Sequence, residues 1–331
     1  MADVSIHQIA KAFGSTQAVA DVSLHIDDGA FVVLLGPTGA GKTTILRLIA
    51  GLEHPDAGDV RINDQSVVGQ TPAQRDVAMV FQQYSLYPHM SVRDNLAFPL
   101  RSPILKTPEA EIERKIREVA EVLSIAHKLD NKATALSGGE MQRVSIGRAL
   151  VRDPSIYLMD EPLSSLDAKL RADLRIELKR IHASLGATLL YVTHDQIEAM
   201  TMATQVGVLD EGRLVQFGTP REIYENPVSL YVAGRLGSPR INALPASLFA
   251  GAPANAATIG LRPEHIQHGE GKPAEVVRVE PLGDQTRLHL RLEGHDIVTL
   301  TDPHTDLEAG KTLAIQPRNP LYFDAAGDRI A

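Results

Sequence analysis

Phe31-Val32-Val33-Leu34-Leu35-Gly36-Pro37-Thr38-Gly39-Ala40-Gly41-Lys42-Thr43-Thr44 decides how this 331-residue chain is read. Five apolar residues predict a buried strand, residues 36–43 spell G-x-x-x-x-G-K-[ST], and Ile45-Leu46-Arg47-Leu48-Ile49 predicts a helix. Glycines let the backbone turn its N–H groups around phosphate oxygens, and the following helix points its positive end at the same anion. Lys42 is expected at the outer phosphates and the Thr43 hydroxyl on Mg²⁺, with Gly36, Pro37, Thr38, Gly39, Ala40, Gly41 and Thr44 completing the cradle. A glycine turn that merely caps a helix needs no such motif between a strand and a helix. The stretch predicts binding of a nucleoside triphosphate.

Working outward, Val22, Leu24 and Ile26 alternate with polar residues and predict a half-buried strand. Upstream, Phe13 is expected in a loop where it could stack on a base; taken alone, it reads as a core residue. Downstream, Val77-Ala78-Met79-Val80-Phe81 predicts a buried strand ending in Gln82, and Ile112, Ile116, Val119 and Leu123 share one helical face. Ser137-Gly138-Gly139 has the form of a second capped, anion-ready helix start. Ile156-Tyr157-Leu158-Met159 runs into Asp160-Glu161, and Thr188-Leu189-Leu190-Tyr191-Val192-Thr193 runs into His194. Strands alternating with helices predict a largely parallel sheet. After about Gly234 short alternating runs such as Leu288, Leu290 and Leu292 take over, predicting a small all-β barrel.

Composition bounds the function. A net charge of −8 argues against a chain built to coat nucleic acid, and the absence of Cys suits a reducing cytoplasm. The start lacks the pattern of a signal peptide, and no apolar run reaches the ~20 residues of a membrane span. A membrane role would run through a partner.

Four strand ends then converge on one chemistry. Asp160 is placed to hold Mg²⁺ opposite Thr43, Glu161 to take a proton from the attacking water, and His194 to bond the γ-phosphate. Gln82 could join Mg²⁺ to that water. One helix start already serves the phosphates, so Ser137-Gly138-Gly139 would be superfluous within one subunit. It makes sense facing a nucleotide held by a second copy, two chains sandwiching two ATP molecules.

These residues resemble the ABC-type ATPases over essentially the whole chain. Residues 36–43 match their Walker A loop, Leu136-Ser137-Gly138-Gly139-Glu140 their signature, and Asp160 and Glu161 the Walker B aspartate and catalytic glutamate. Gln82, Ser164-Ser165-Leu166-Asp167 and His194 match the Q-loop, D-loop and switch histidine. Residues 87–92, 162–171 and 259–265 look like the MalK-like subunits of carbohydrate importers, with their C-terminal TOBE domain. Phe13 stands where this family often has Tyr and keeps the stacking face.

The resemblance implies an α/β fold: an ABC-type P-loop ATPase domain at 1–235, with a helical subdomain at about 84–155, then a small all-β OB-like domain at 236–331. It implies ATP and Mg²⁺ as ligands, and Ser137, Gly138, Gly139, Gln142 and Asp167 contacting ATP across a homodimer. It further implies two permease subunits, a solute-binding protein acting indirectly, and a place on the cytoplasmic face of the inner membrane. Leu86, Tyr87, Pro88, Met90, Val92 and Phe98 are the candidate permease contact, although the residues alone read equally well as local core. Rival readings are an ABC ATPase outside transport and a regulatory role for the β-module.

Overall fold

The computed structural model describes residues 2–103 and 105–330. The chain divides into two compact units, Met1–Pro220 and Arg221–Ala331.

In the first unit, β1 (Val4–Phe13) and β2 (Thr16–Ile26) form a hairpin, and β3 (Phe31–Leu35) leads into α1 (Lys42–Ala50). β4 (Ala57–Ile62), β5 (Gln65–Ser66) and β6 (Val77–Val80) follow, then α2 (Val92–Ala97), α3 (Glu109–Val122) and α4 (Gly138–Leu150). β7 (Ile156–Asp160), α5 (Ala168–Leu185), β8 (Thr188–Thr193), α6 (Gln196–Met202), β9 (Gln205–Asp210) and β10 (Arg213–Gly218) complete it.

Six strands form one sheet in the order β10-β9-β3-β8-β7-β6, and β9 through β6 in that order are parallel. A parallel strand covered on both faces is apolar along most of its length. Every residue of β3, β7 and β8 is buried. β1, β2, β4 and β5 form a separate antiparallel sheet, ordered β2-β1-β4-β5. Its core side shares one hydrophobic cluster with α1 and the parallel strands, through Ile9, Ile26, Ile45, Leu48 and Leu190.

The order β3-β8-β7-β6 has a direct functional consequence. Parallel neighbours bring their C-terminal ends to one edge, so the segments after these strands stand side by side. Three steps of ~4.8 Å cover the whole row, about 14 Å.

The second unit holds α7 (Pro220–Glu225), α8 (Leu230–Ala233), β11 (Asn242–Pro245), β12 (Thr258–Leu261), β13 (Ile266–Pro281), β14 (Thr286–Leu292), β15 (His295–Thr301), β16 (Thr312–Pro317), β17 (Leu321–Phe323) and β18 (Arg329–Ile330). The OB-like module is built as two four-stranded sheets, β11-β12-β17-β18 and β15-β14-β13-β16. Their shared core joins Ile259 and Leu261 to Val276, Leu288, Leu290 and Ile315.

The unit begins at Arg221, ahead of the expected 236. Arg262 explains the difference. Its buried guanidinium donates to the carbonyls of Tyr224, Ala233 and Leu236, and stacks 3.8 Å from the Tyr224 ring centroid. The short helices are thereby tied to the β-sheets that follow them. Helical periodicity placed them with the preceding domain, and this long-range tie overrides it.

Candidate active site

Gly39 and Gly41 adopt φ of 85° and 92°, a region other residues rarely enter. Gly41 is also fixed by space, since a Cβ there would collide with the carbonyl of Ala18. At Gly36 a Cβ would lie 2.7 Å from the Leu209 carbonyl oxygen. The loop therefore has the close-fitting backbone that a phosphate cradle requires. Lys42 opens α1 and is buried, its ammonium donating to the carbonyls of Gly36 and Pro37 at 2.9 Å each. Burial pulls the Lys42 pKa down, against the raising effect of Glu161.

Two side-chain links close the row of strand ends. Thr43 Oγ1 donates to Asp160 Oδ1 at 2.8 Å, joining the end of β7 to α1. Glu161 Oε1 lies 3.5 Å from Lys42 Nζ, while Oε2 lies 2.9 Å from His194 Nδ1. Glu161 thus stands between the amine that would meet phosphate and the imidazole after β8. Its φ of 42° is a strained value for a side-chain-bearing residue. The strain is held by its amide donating to Val192 and by the amide and hydroxyl of Ser164 donating to its carbonyl.

Asp160 is buried, and this desolvation raises its pKa; the Thr43 hydrogen bond opposes that shift. Such a carboxylate is suited to a cation that restores its charge balance. Among the described residues no group of three His, Asp or Glu side chains stands ready for a metal. The oxygens of Thr43 and Asp160 fit Mg²⁺, which takes few protein ligands and completes its shell with phosphates and water. Gln82 lies just beyond β6 and is exposed.

Phe13 is the last residue of β1 rather than a loop residue, pairing with Thr16 across the hairpin turn. It is 46% exposed, so the core reading does not hold. Thr16 is two residues along β2 from Ala18, whose carbonyl faces Gly41. Lys11 Nζ lies 5.4 Å over the Phe13 ring, and the exposed remainder of the ring is available for a base to stack on.

The second helix start is formed as expected. Ser137 caps α4, its hydroxyl accepting from the Glu140 amide while Glu140 Oε2 accepts from the Ser137 amide at 2.8 Å. Ser137 is exposed, Gly138 half-buried and Gly139 buried against Leu170, whose side chain a Cβ would strike. Gln142 behaves differently. It is fully buried, with neither amide atom hydrogen-bonded, and so does not share the exposed face of Ser137. Asp167 is exposed and caps α5 through the Leu170 amide.

Sequence reading gives Glu140 no role beyond its place in the signature. Its carboxyl pKa falls from 4.5 to about 2, chiefly through the Ser137 amide, then the Ser137 hydroxyl and Lys128. A depressed carboxylate contributes stability that is complete above its unfolded pKa and disappears as pH falls through the folded one. The stability gap between wild type and Glu140→Gln should therefore be constant above pH ~5 and shrink towards pH ~2. Paired thermal melts across that range check it, and a gap that widens in acid contradicts it.

In the candidate permease contact, Tyr87 and Phe98 are exposed, with ring centroids 4.4 Å apart. Arg148 sits 5.3 Å over the Tyr87 ring and donates to the Ser85 carbonyl. Asn95, fully buried, accepts from the Tyr87 amide and donates to the Ser91 carbonyl at 2.9 Å, shaping the loop between them. Pro88 is exposed, and Leu86 and Met90 are partly so. Val92 is a correction: at 0% exposure it is core, because it opens α2 with its amide held by the Asn131 carbonyl.

Residues 19–164 match the ABC transporter family, and residues 259–324 match the TOBE domain. The chain is 45% identical over 352 residues to the sn-glycerol-3-phosphate import ATP-binding protein UgpC of a Ruegeria species, with full coverage of both. It is 43% identical over 367 residues to the xylose/arabinose import ATP-binding protein XacK of Haloferax volcanii, covering 100% of this chain and 96% of that one. Among solved structures, a nucleotide-free ATP-binding cassette from an ABC transporter superposes with a TM-score of 0.63. That match is 27% identical and covers 71% of this chain and 98% of the cassette. The chain belongs to the ABC transporter family, as one of its ATP-binding, ATP-hydrolysing subunits.

Proposed function

We propose that this subunit powers import of a carbohydrate or related solute (a sugar, polyol, glycoside or glycerol phosphate), as a homodimer docked on two membrane permease subunits. The names of the UgpC and XacK relatives support the solute class. Among the described residues no helix is long and apolar enough to cross a membrane. In this reading the subunit docks on permeases at the cytoplasmic face. The exposed Tyr87–Phe98 pair, in a cleft of ≈ 230 Å³ that Arg148 and Pro99 also line, is the surface for that contact.

One observation carries the two-chain mechanism. Lys42, Thr43, Asp160, Glu161 and His194 form a single linked cluster, while Ser137 stands exposed with its amide and hydroxyl bonded to Glu140. In the proposed cycle, Lys42 and the loop amides bind the phosphates, and Phe13 stacks on the base. Thr43 and Asp160, with Gln82, would hold Mg²⁺, which when bound neutralises the charge developing on the phosphates. Ser137 and Gly139 of the second chain close over the γ-phosphate, with Asp167 at the same interface. Glu161 takes the proton of the attacking water, and His194 orients Glu161 and the phosphate. Contacts made only in the closed dimer supply the closing force, and their loss after hydrolysis reopens it.

Ser137→Arg tests this reading. A bulky cation on the exposed cap should block closure and abolish turnover, while the separated subunit still binds ATP with near-wild-type affinity. Calorimetry together with an ATPase assay reads both, and loss of binding in the separated subunit would contradict a two-chain site.

A further inference from the structure

Arg171 is the fourth residue of α5, where the field of the helix opposes a positive charge. Its contacts give a reason for that placement. Arg171 Nη2 donates to the Leu166 carbonyl at 2.8 Å, in the loop running from Glu161 to the α5 cap. Nη1 lies 3.6 Å from Asp195 Oδ2, in the turn that follows β8 and carries His194.

That turn is anchored on its other side by a buried network. The Asp195 amide donates to Thr193 Oγ1 at 3.0 Å, and Thr193 donates to Glu198 at 2.6 Å. Glu198 also accepts from the Tyr191 hydroxyl at 2.9 Å. Asp195 Oδ1 caps α6 through the Ile197 amide at 2.7 Å, leaving Oδ2 for Arg171. The Glu161 loop is anchored in turn by Ser164, which bonds the Glu161 carbonyl through both amide and hydroxyl. The two segments are joined at their base by the Glu161 amide on the Val192 carbonyl and meet again at the His194–Glu161 contact; beyond that ladder, the Arg171 side chain touches both.

We propose that Arg171 is a positioning residue for ATP hydrolysis: a single guanidinium held by the Leu166 carbonyl and the Asp195 carboxylate sets the spacing between Glu161 and His194. The guanidinium holds the Leu166 carbonyl by a hydrogen bond and the Asp195 carboxylate by charge at 3.6 Å. The proposal rests on the reading of Glu161 and His194 as the reacting pair, so Glu161→Gln is included as a reference.

The experiment is steady-state hydrolysis of Mg-ATP by the full chain carrying Arg171→Gln, Asp195→Asn, or both. Asn caps a helix as well as Asp, so Asp195→Asn keeps α6 and removes only the charge pair. Misplacement of reacting groups by an ångström can cost about 10²-fold, and a looser tether should cost about tenfold. The expected result is a roughly tenfold fall in kcat in each single variant, KM for ATP within about twofold, and a double variant no slower than the singles. Melting temperature should hold, because the substitution at position 171 also relieves the opposed charge in α5.

Unchanged kcat in both single variants overturns the proposal, as do single losses that multiply in the double. A rise in KM and a fall in melting temperature that track the loss of kcat would reduce Arg171 to a structural role. If Arg171→Gln fails to fold, Asp195→Asn decides alone. An inactive Glu161→Gln beside fully active position-171 and position-195 variants sinks this proposal only, whereas an active Glu161→Gln sinks the reading beneath it.

Discussion

Glu161→Gln should bind ATP as tightly as wild type and hydrolyse it about 10²–10⁴-fold more slowly, the usual contribution of a general base. The amide keeps the volume and the hydrogen-bonding reach of the carboxylate but cannot take a proton. Both Glu161 oxygens have partners, Lys42 at 3.5 Å and His194 at 2.9 Å, so the variant keeps an acceptor for one of them. The strained φ of 42° is supported by main-chain bonds and by Ser164, none of which involves the substituted atoms. The loss should therefore be chemical rather than structural. A single-turnover assay with bound ATP separates the two, and turnover persisting near the wild-type rate would remove Glu161 from its assigned role.

Lys42→Ala should act on the other side of the site. A hydrogen bond to a charged group contributes about 1.5–3 kcal/mol, so losing the ammonium should weaken ATP binding by roughly ten- to hundredfold. Nothing comparable is expected for the fold. Burial disfavours the charged amine, which offsets the loss of its bonds to the Gly36 and Pro37 carbonyls. Equilibrium binding measured beside a thermal melt of the free protein distinguishes the effects. Unchanged affinity would contradict the phosphate-loop reading, and a large drop in melting temperature without ATP would mean that Lys42 serves packing instead.

Much of this site is legible in the sequence because its strands are buried on both faces. β3 and the centres of β7 and β8 read as apolar runs, and the residues that close or follow them, Gly36, Asp160 and His194, are located by simple counting. β1 was not legible. Register shifts between Ile6, Ile9, Lys11 and Ala12 break its alternation, so Phe13 read as a loop residue. Gln142 shares a motif with Ser137, yet the helical turn carries it into the interior.

Long-range side-chain ties were harder still. Arg171 joins segments that no local pattern connects, and Arg262 draws α7 and α8 to the second unit. A charge set against its own helix field was the one local sign that Arg171 has a distant partner.

The most direct measurement is a crystal structure of the Glu161→Gln variant with Mg-ATP. It should contain a dimer in which the Ser137 hydroxyl and Gly139 amide of one subunit bond the γ-phosphate of ATP held by Lys42 and Thr43 of the other. ATP bound at Lys42 and Thr43 with Ser137 of every neighbouring copy turned to solvent would contradict the two-chain site and leave a hydrolase complete within one subunit.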